Sequence, residues 1–382
     1  MELPSILKHL KRDTGKKKFI PVIDGLRTLA LMPVLLMHFN TNYKRYLGSS
    51  LGEPFDKVMS HGERGVFLFF AISGFILTLG LYNSIEKNHM INFKDYFVRR
   101  FTRLEPPFII STVVLFIMVT FFMDKQWEDL IGHLIATLTY THNLIFGYWS
   151  PINPVSWSLE VEIQFYILIP FFCIILYKVK PWIRILLIIA AIFILPLIFN
   201  IESGYFLESS HLRRSLPVFL SHFLVGVLFL NIFKSNFWKE LKCSPFVDII
   251  GAGAIYIYFF VEFNSTLMEV FVINICILAI FFSAFKGYFF SRLFSRSFFV
   301  IFGGMCYTIY LWHYPIFFGI SKVSKYFLIQ ENGANFVIQF LFSVIVMTIS
   351  CALLYLIFEK PFMKPDWWRI HKVGSSNLTL KK

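Results

Sequence analysis

The chain is a succession of long apolar runs set apart by short polar, basic stretches. Ten runs of about 17–24 residues stand out, at 22–42, 65–82, 106–123, 157–177, 183–200, 215–233, 246–262, 267–285, 297–320 and 335–358. A helix needs about 20 apolar residues to cross the hydrocarbon core, so each run predicts a membrane span. An eleventh stretch, 130–147, is interrupted by His133, His142, Asn143 and several threonines. The expected fold is all-α: a polytopic transmembrane helical bundle of about ten helices, with 130–147 as a re-entrant, interfacial or extracytoplasmic helix.

Charge sets the orientation. Arg99, Arg100 and Arg103 fall in one loop. Lys178, Lys180 and Arg184 fall two crossings later, followed by Lys234, Lys239 and Lys242, then Lys286, Arg292 and Arg296. Basic loops stay in the cytoplasm. Counting 130–147 as a crossing would put the later clusters outside, so ten spans with both termini cytoplasmic is the expected topology. The chain then divides into a basic cytoplasmic segment 1–18, a membrane domain 19–361 and a basic cytoplasmic tail 362–382. No internal repeat is visible.

Composition agrees. Of the 382 residues 57% are hydrophobic and 48 are Phe, more apolar surface than a soluble domain can bury. The formal charge of +13 would point to nucleic acid in a soluble protein. Here the basic residues cluster at the ends of apolar runs, where they meet anionic headgroups, so the bilayer is the partner and nucleic acid is not. Cys173, Cys243, Cys276, Cys306 and Cys351 are scattered, and none forms a Cys-x-x-Cys pair. They read as small buried hydrophobes, with neither a disulfide framework nor a metal site. The lysine-rich N-terminus precedes a run that contains Arg27 and lacks a small-residue cleavage site, so no cleaved signal peptide is expected.

Ionisable residues inside a bilayer are costly and usually have a task. Arg27 and His38 lie in the first run, eleven positions apart. That spacing returns a helix to within about 20° and separates the two by roughly 16 Å along the axis. The plain reading has Arg27 snorkelling to headgroups and His38 bonded to a neighbouring helix. The chemical reading makes His38 a general base, since neutral imidazole takes a hydroxyl proton near working pH. Arg100 and Arg103 share a helical face. They either orient the protein or grip phosphates with their forked guanidiniums. Glu160 and Gln164 share another face, with Glu162 about 200° from Glu160. Ala71, Ser73 and Gly74 form a small-residue packing face. Trp157, Tyr310, Trp312 and His313 sit at outer depth, as an aromatic belt or as the lining of an acceptor pocket. His222 carries no surrounding motif and reads as structural.

Taken in order, these motifs resemble acyltransferase family three, the integral-membrane acyltransferases. The likeness runs over about 19–361. It rests on Ile23–Asp24–Gly25–Leu26–Arg27 with its spacing to His38, on Gly65–Val66 through Ser73–Gly74–Phe75, and on Arg100 and Arg103. Trp157–Ser158–Leu159 through Val161–Glu162 and on to Gln164–Phe165–Tyr166, Tyr310–Leu311–Trp312–His313 with Pro315, and Glu359–Lys360–Pro361 complete it. Relatives usually carry two acids after the position of Val161. Here Ile163 follows Glu162 while Glu160 precedes it, so either acid could partner the histidine. The resemblance implies transfer of an acyl group, acetyl by family habit, from cytoplasmic acyl-CoA (acetyl-CoA as donor substrate, with no bound cofactor) to a hydroxyl of an extracytoplasmic or lipid-linked glycan. The lipopolysaccharide O-antigen type is the expected substrate class, and the bacterial cytoplasmic membrane is the expected location. On that reading His38 and Glu162 are catalytic. Arg27, Arg100 and Arg103 bind the donor, and Trp157, Tyr310, Trp312 and His313 bind the acceptor. The competing class is a transporter or flippase for a glycan or lipid intermediate, since charged residues in membrane helices also mark substrate pathways.

Overall fold

Every apolar run forms helix, and the computed structural model shows how the helices are arranged. It describes residues 9–12, 19–47, 51–123, 125–199, 211–327, 332–364 and 367. Most of the basic N-terminal segment and of the basic tail, including Lys16, Lys17, Lys18, Arg369 and Lys372, lies outside the described residues. Among the described residues every regular element is helical, and eight helices are long and apolar enough to cross a membrane. The two other expected spans take different forms. One is a helix of 16 residues, Pro245–Phe260. The other, 297–320, is broken at Met305 into Ser297–Gly304 and Cys306–Ser324.

In chain order the elements used below are α1 (Pro21–Leu47), α2 (Glu53–Ser60), α3 (Arg64–Asn88), α4 (Phe93–Phe122), α5 (Trp127–Leu138), α6 (His142–Phe146), α7 (Trp157–Lys178), α8 (Pro181–Phe199) and α9 (Leu216–Phe233). They continue with α10 (Asn236–Glu240), α11 (Pro245–Phe260), α12 (Thr266–Lys286), α13 (Phe289–Phe294), α14 (Ser297–Gly304), α15 (Cys306–Ser324) and α16 (Asn332–Leu354).

The middle of the bundle is α1, α3 and α9. In the most apolar stretch of α9, 72% of residues are buried; in α8 only 17% are, and its Leu186, Leu187, Ile194 and Ile198 face outward. That contrast marks α8 as a lipid-facing helix and α9 as the core. Of the small-residue face expected on α3, Ala71 and Gly74 pack as predicted, whereas Ser73 turns to the cavity and bonds to Glu162. A Cβ on Gly74 would strike the Phe223 carbonyl, and one on Gly226 would strike the Ala71 carbonyl, so α3 and α9 touch backbone to backbone. Phe223 fills the rest of the crossing, stacked at 4.5 Å on Phe70 and 4.1 Å on Phe165.

The helix α4 differs from expectation. The span expected at 106–123 is part of a longer helix that begins at Phe93, where the Asn92 side chain accepts the Asp95 N–H at 3.0 Å. It runs through Pro106 and Pro107, so Arg100 and Arg103 stand on a helix rather than in a loop. The stretch 130–147 forms two short pieces, α5 and α6. The 12 residues of α5 rise only about 18 Å, too little to cross. The α16 helix ends in a π-helical turn, Tyr355–Glu359, which brings Glu359 under the start of α15.

Candidate active site

The break between α14 and α15 opens onto a cavity of about 890 Å³, mouth included. Its walls come from α1, α3, α4, α7, α15 and the π-helical turn. They carry Arg27, Arg100, Arg103, Glu162 and Tyr310 from the sequence-predicted set, together with Arg12, Ser73, Ser158, Tyr166, Tyr307 and Glu359. Interrupted helices are tolerated at membrane depth where they line such a space.

The charges here are incompletely matched. Asp24, buried, pairs with Arg27 and through the same oxygen with Arg12 at 3.1 Å. Glu162 accepts from the Ser73 hydroxyl and, at 2.5 Å, from the Tyr166 hydroxyl. The Arg100 guanidinium lies 5.6 Å from the centre of the Tyr166 ring. Glu359 spends one oxygen on the Thr308 N–H (3.0 Å) and hydroxyl (2.5 Å). Among the described residues neither Arg100 nor Arg103 forms an ion pair, and the buried Nε atoms of Arg12 and Arg103 have no acceptor. Arg64 is the contrast. It is also buried, and it reaches Glu269 (2.8 Å) and the carbonyls of Tyr258 (2.9 Å) and Val261 (2.8 Å), as a structural arginine does.

The structure separates the two acids of α7. Glu160 is buried and accepts from the Asn143 N–H (3.0 Å), the Asn143 side chain (2.8 Å) and the Leu144 N–H (3.3 Å), tying α6 to α7. Glu162 faces the cavity. Among the described residues neither acid bonds to His38: Glu160 is taken up by Asn143 and Leu144, and Glu162 by Ser73 and Tyr166. The ring beside His38 is His313, at 5.1 Å between centroids, with Tyr314 edge-on at 5.2 Å.

His38 does not line the cavity; Tyr310 and His313 connect it there. The Tyr310 hydroxyl donates to the Val155 carbonyl (3.2 Å) and sits 2.7 Å from Ser158 Oγ. The His313 ring follows 5.7 Å from that of Tyr310. Two carbonyls, of Ile309 (3.0 Å) and Tyr310 (2.9 Å), face His313 Nδ1 and require its proton there. That leaves Nε2 an acceptor, buried and without a partner among the described residues.

The two tryptophans do not join the cavity. Trp157 packs on Phe219 (5.4 Å) and Phe70 (6.4 Å), and Trp312 is buried in the core. His222 stacks on Phe67 at 4.5 Å and bonds to Asn274, in keeping with a structural role. Sequence reasoning missed Arg12, Asp24, Tyr166 and Tyr307 as site residues. Asp24 and Tyr166 stood inside recognised motifs, whereas Arg12 is one basic residue among many in its segment.

A multi-pass helical membrane protein with these motifs around one cavity falls among the integral-membrane acyltransferases. The chain belongs to the acyltransferase domain family, acyltransferase family three, which matches residues 20–356. Among its relatives, the peptidoglycan O-acetyltransferase OatA of Listeria monocytogenes is 28% identical over 340 residues, covering 80% of this chain and 51% of that protein. The O-acetyltransferase OatA of Staphylococcus aureus is 24% identical over 375 residues, covering 91% of this chain and 58% of that protein. The chain thus spans about half the length of the curated relatives it matches. The Listeria protein is named for peptidoglycan, and neither relative for the lipopolysaccharide O-antigen type expected from the motifs. No solved structure matches the chain.

Proposed function

We propose that this protein moves an acetyl group from acetyl-CoA, bound from the cytoplasm, to a hydroxyl of an extracytoplasmic glycan, with a peptidoglycan-type sugar as the first acceptor to test. The observation that carries this reading is the joining of an arginine-rich cavity, through Tyr310 and His313, to His38. Arg100 and Arg103, which form no ion pair among the described residues, hold the nucleotide phosphates, and Arg27 faces the same ligand. The flexible arm of the donor carries the thioester toward His38.

There the neutral imidazole takes the proton of the acceptor hydroxyl as its oxygen attacks the thioester carbonyl. The C–S bond breaks, the acetyl ester forms, and the CoA thiolate recovers the proton from the imidazolium. Glu162 fixes Tyr166 on the cavity wall, while Tyr310 and His313 line the passage. The bacterial cytoplasmic membrane, with both termini inside, is the setting this chemistry requires, since the donor is cytoplasmic and the acceptor is not.

The test is thiol release by the purified protein in liposomes, given acetyl-CoA with and without a muropeptide acceptor. Acceptor-dependent release, with acetyl appearing on the sugar, is expected. Flux of the glycan across the liposome without thiol release would overturn the reading in favour of a transporter.

A further inference from the structure

The family match begins at residue 20, yet the cavity wall includes an earlier residue, Arg12. The short piece that carries it is anchored in three places. Leu10 is buried, the His9 carbonyl accepts from the Lys360 ammonium, and Arg12 Nη1 donates to Asp24 at 3.1 Å. Arg12 also lies against Gly304, at the break between α14 and α15, where an added Cβ would come within 3.5 Å of its own. The segment before the domain is therefore built onto the cavity at its most irregular point.

Among the described residues the carboxylates at the cavity are fewer than its guanidiniums. Four guanidiniums line it, those of Arg12, Arg27, Arg100 and Arg103, against the carboxylates of Glu162 and Glu359. Asp24 serves Arg12 and Arg27 through a single oxygen. Burial, and the like charges of Arg103 and Arg27, push the Arg12 guanidinium down from its ordinary value, with Asp24 opposing them. Guanidinium remains charged in proteins, so the imbalance is met by an anion rather than by loss of a proton. The anion needs several oxygens in a compact group, because the free N–H groups belong to separate arginines. Phosphate has that form.

We propose that Arg12 is a donor-phosphate residue, so that the segment preceding the acyltransferase domain completes the anion site. This rests on the acyl-CoA reading given above. A lipid phosphate would satisfy the same chemistry, and the choice of donors separates the two. The full chain, in liposomes of fixed lipid composition, is assayed with acetyl-CoA and with acetyl-pantetheine, which carries the same thioester and no phosphate.

The wild type favours acetyl-CoA by kcat/KM. In Arg12→Ala that preference falls roughly 10- to 100-fold, the value of one charged hydrogen-bonding group, through KM rather than kcat. Arg12→Lys, which keeps the charge and loses the fork, falls between. Equal loss with both donors, as from a loosened fold or a lost lipid contact, would overturn the proposal, and so would no loss with either.

Titration of coenzyme A by calorimetry separates the two layers of the argument. If wild type and Arg12→Ala bind it equally, the assignment of Arg12 fails and the donor reading stands. If the wild type binds none, both fail.

Discussion

Glu359→Ala tests how the broken helix is held. The carboxylate is 2% exposed and receives two donors from one residue, the Thr308 N–H at 3.0 Å and the Thr308 hydroxyl at 2.5 Å. Thr308 lies in the first turn of α15, where N–H groups have no partner within the helix. Hydrogen bonds to a charged group each contribute about 1.5–3 kcal/mol net, and an orphaned buried N–H costs about 1–3 kcal/mol. Because these two contributions overlap, the alanine variant is expected to lose about 3–4 kcal/mol. Glu359→Gln keeps an acceptor and should lose about half as much, by the same reasoning. Thr308→Val removes only the hydroxyl, and a double-mutant cycle with Glu359→Ala should show a coupling of about 1–2 kcal/mol. The assay is reversible unfolding in mixed micelles, read by circular dichroism. Since α15 carries Tyr310 and His313, acetyl transfer should fall in parallel. A Glu359→Ala protein within about 0.5 kcal/mol of wild type, inside the usual scatter for surface changes, would refute the reasoning.

Three further outcomes are expected. His38→Gln should lower kcat by about 10²–10⁴ and leave the KM for acetyl-CoA nearly unchanged, because His38 is outside the arginine cavity; steady-state thiol release checks this, and unchanged turnover would remove His38 from the chemistry. Gly226→Leu should abolish folding, since even a Cβ there meets the Ala71 carbonyl, whereas Gly253→Ala, with nothing within 4 Å, should be neutral or stabilising by up to about 1 kcal/mol; detergent melting curves compare them. His142, in α6, is held down to about 4 by burial and by the His133 charge. The native state then binds fewer protons than the unfolded chain between about pH 6.5 and 4. Its contribution to stability is full above that window and is lost as pH falls through it. His142→Asn should flatten the pH dependence of melting there, and an unchanged profile would exclude the histidine as its source.

What the sequence disclosed follows its physical signals. Hydropathy located the ten apolar runs, all of which are helical, because lipid-exposed length is written residue by residue. Helical arithmetic put Arg100 and Arg103 on one face and separated Glu160 from Glu162, and the structure gives those two acids different tasks. The break at Met305 was missed although Gly303–Gly304 mark it, because that pair sits inside an apolar run with no proline next to it. The start of α4 was missed because hydropathy falls away before Pro106, where Lys94, Asp95, Arg99, Arg100, Arg103 and Glu105 crowd the first turns of the helix. The pairing of His38 with His313, and of Arg12 with Asp24, depends on how distant or separately folded segments dock. No local pattern encodes that.

If the arginines hold the donor and His38 is the base, as proposed above, their separation also restricts the donor. Arg27 and His38 stand on one helix, roughly 16 Å apart along its axis. A compact acyl donor such as acetyl phosphate joins its anion to its reactive carbonyl through a single bridging oxygen. Held by the arginines, it would place its carbonyl far from His38; placed at His38, it would forgo the charged contacts, each contributing about 1.5–3 kcal/mol. General-base catalysis needs hydrogen-bond reach, so the first pose is unreactive and the second is weakly bound. A donor with its phosphates at one end of a long arm and its thioester at the other meets both requirements. Acetyl phosphate should therefore compete with acetyl-CoA only weakly, as an inhibitor, and should transfer no acetyl group to the glycan, as measured with labelled acetyl and mass spectrometry of the acceptor. Transfer from acetyl phosphate at a rate comparable to that from acetyl-CoA would show that the arginine cavity and His38 do not act on the two ends of one donor.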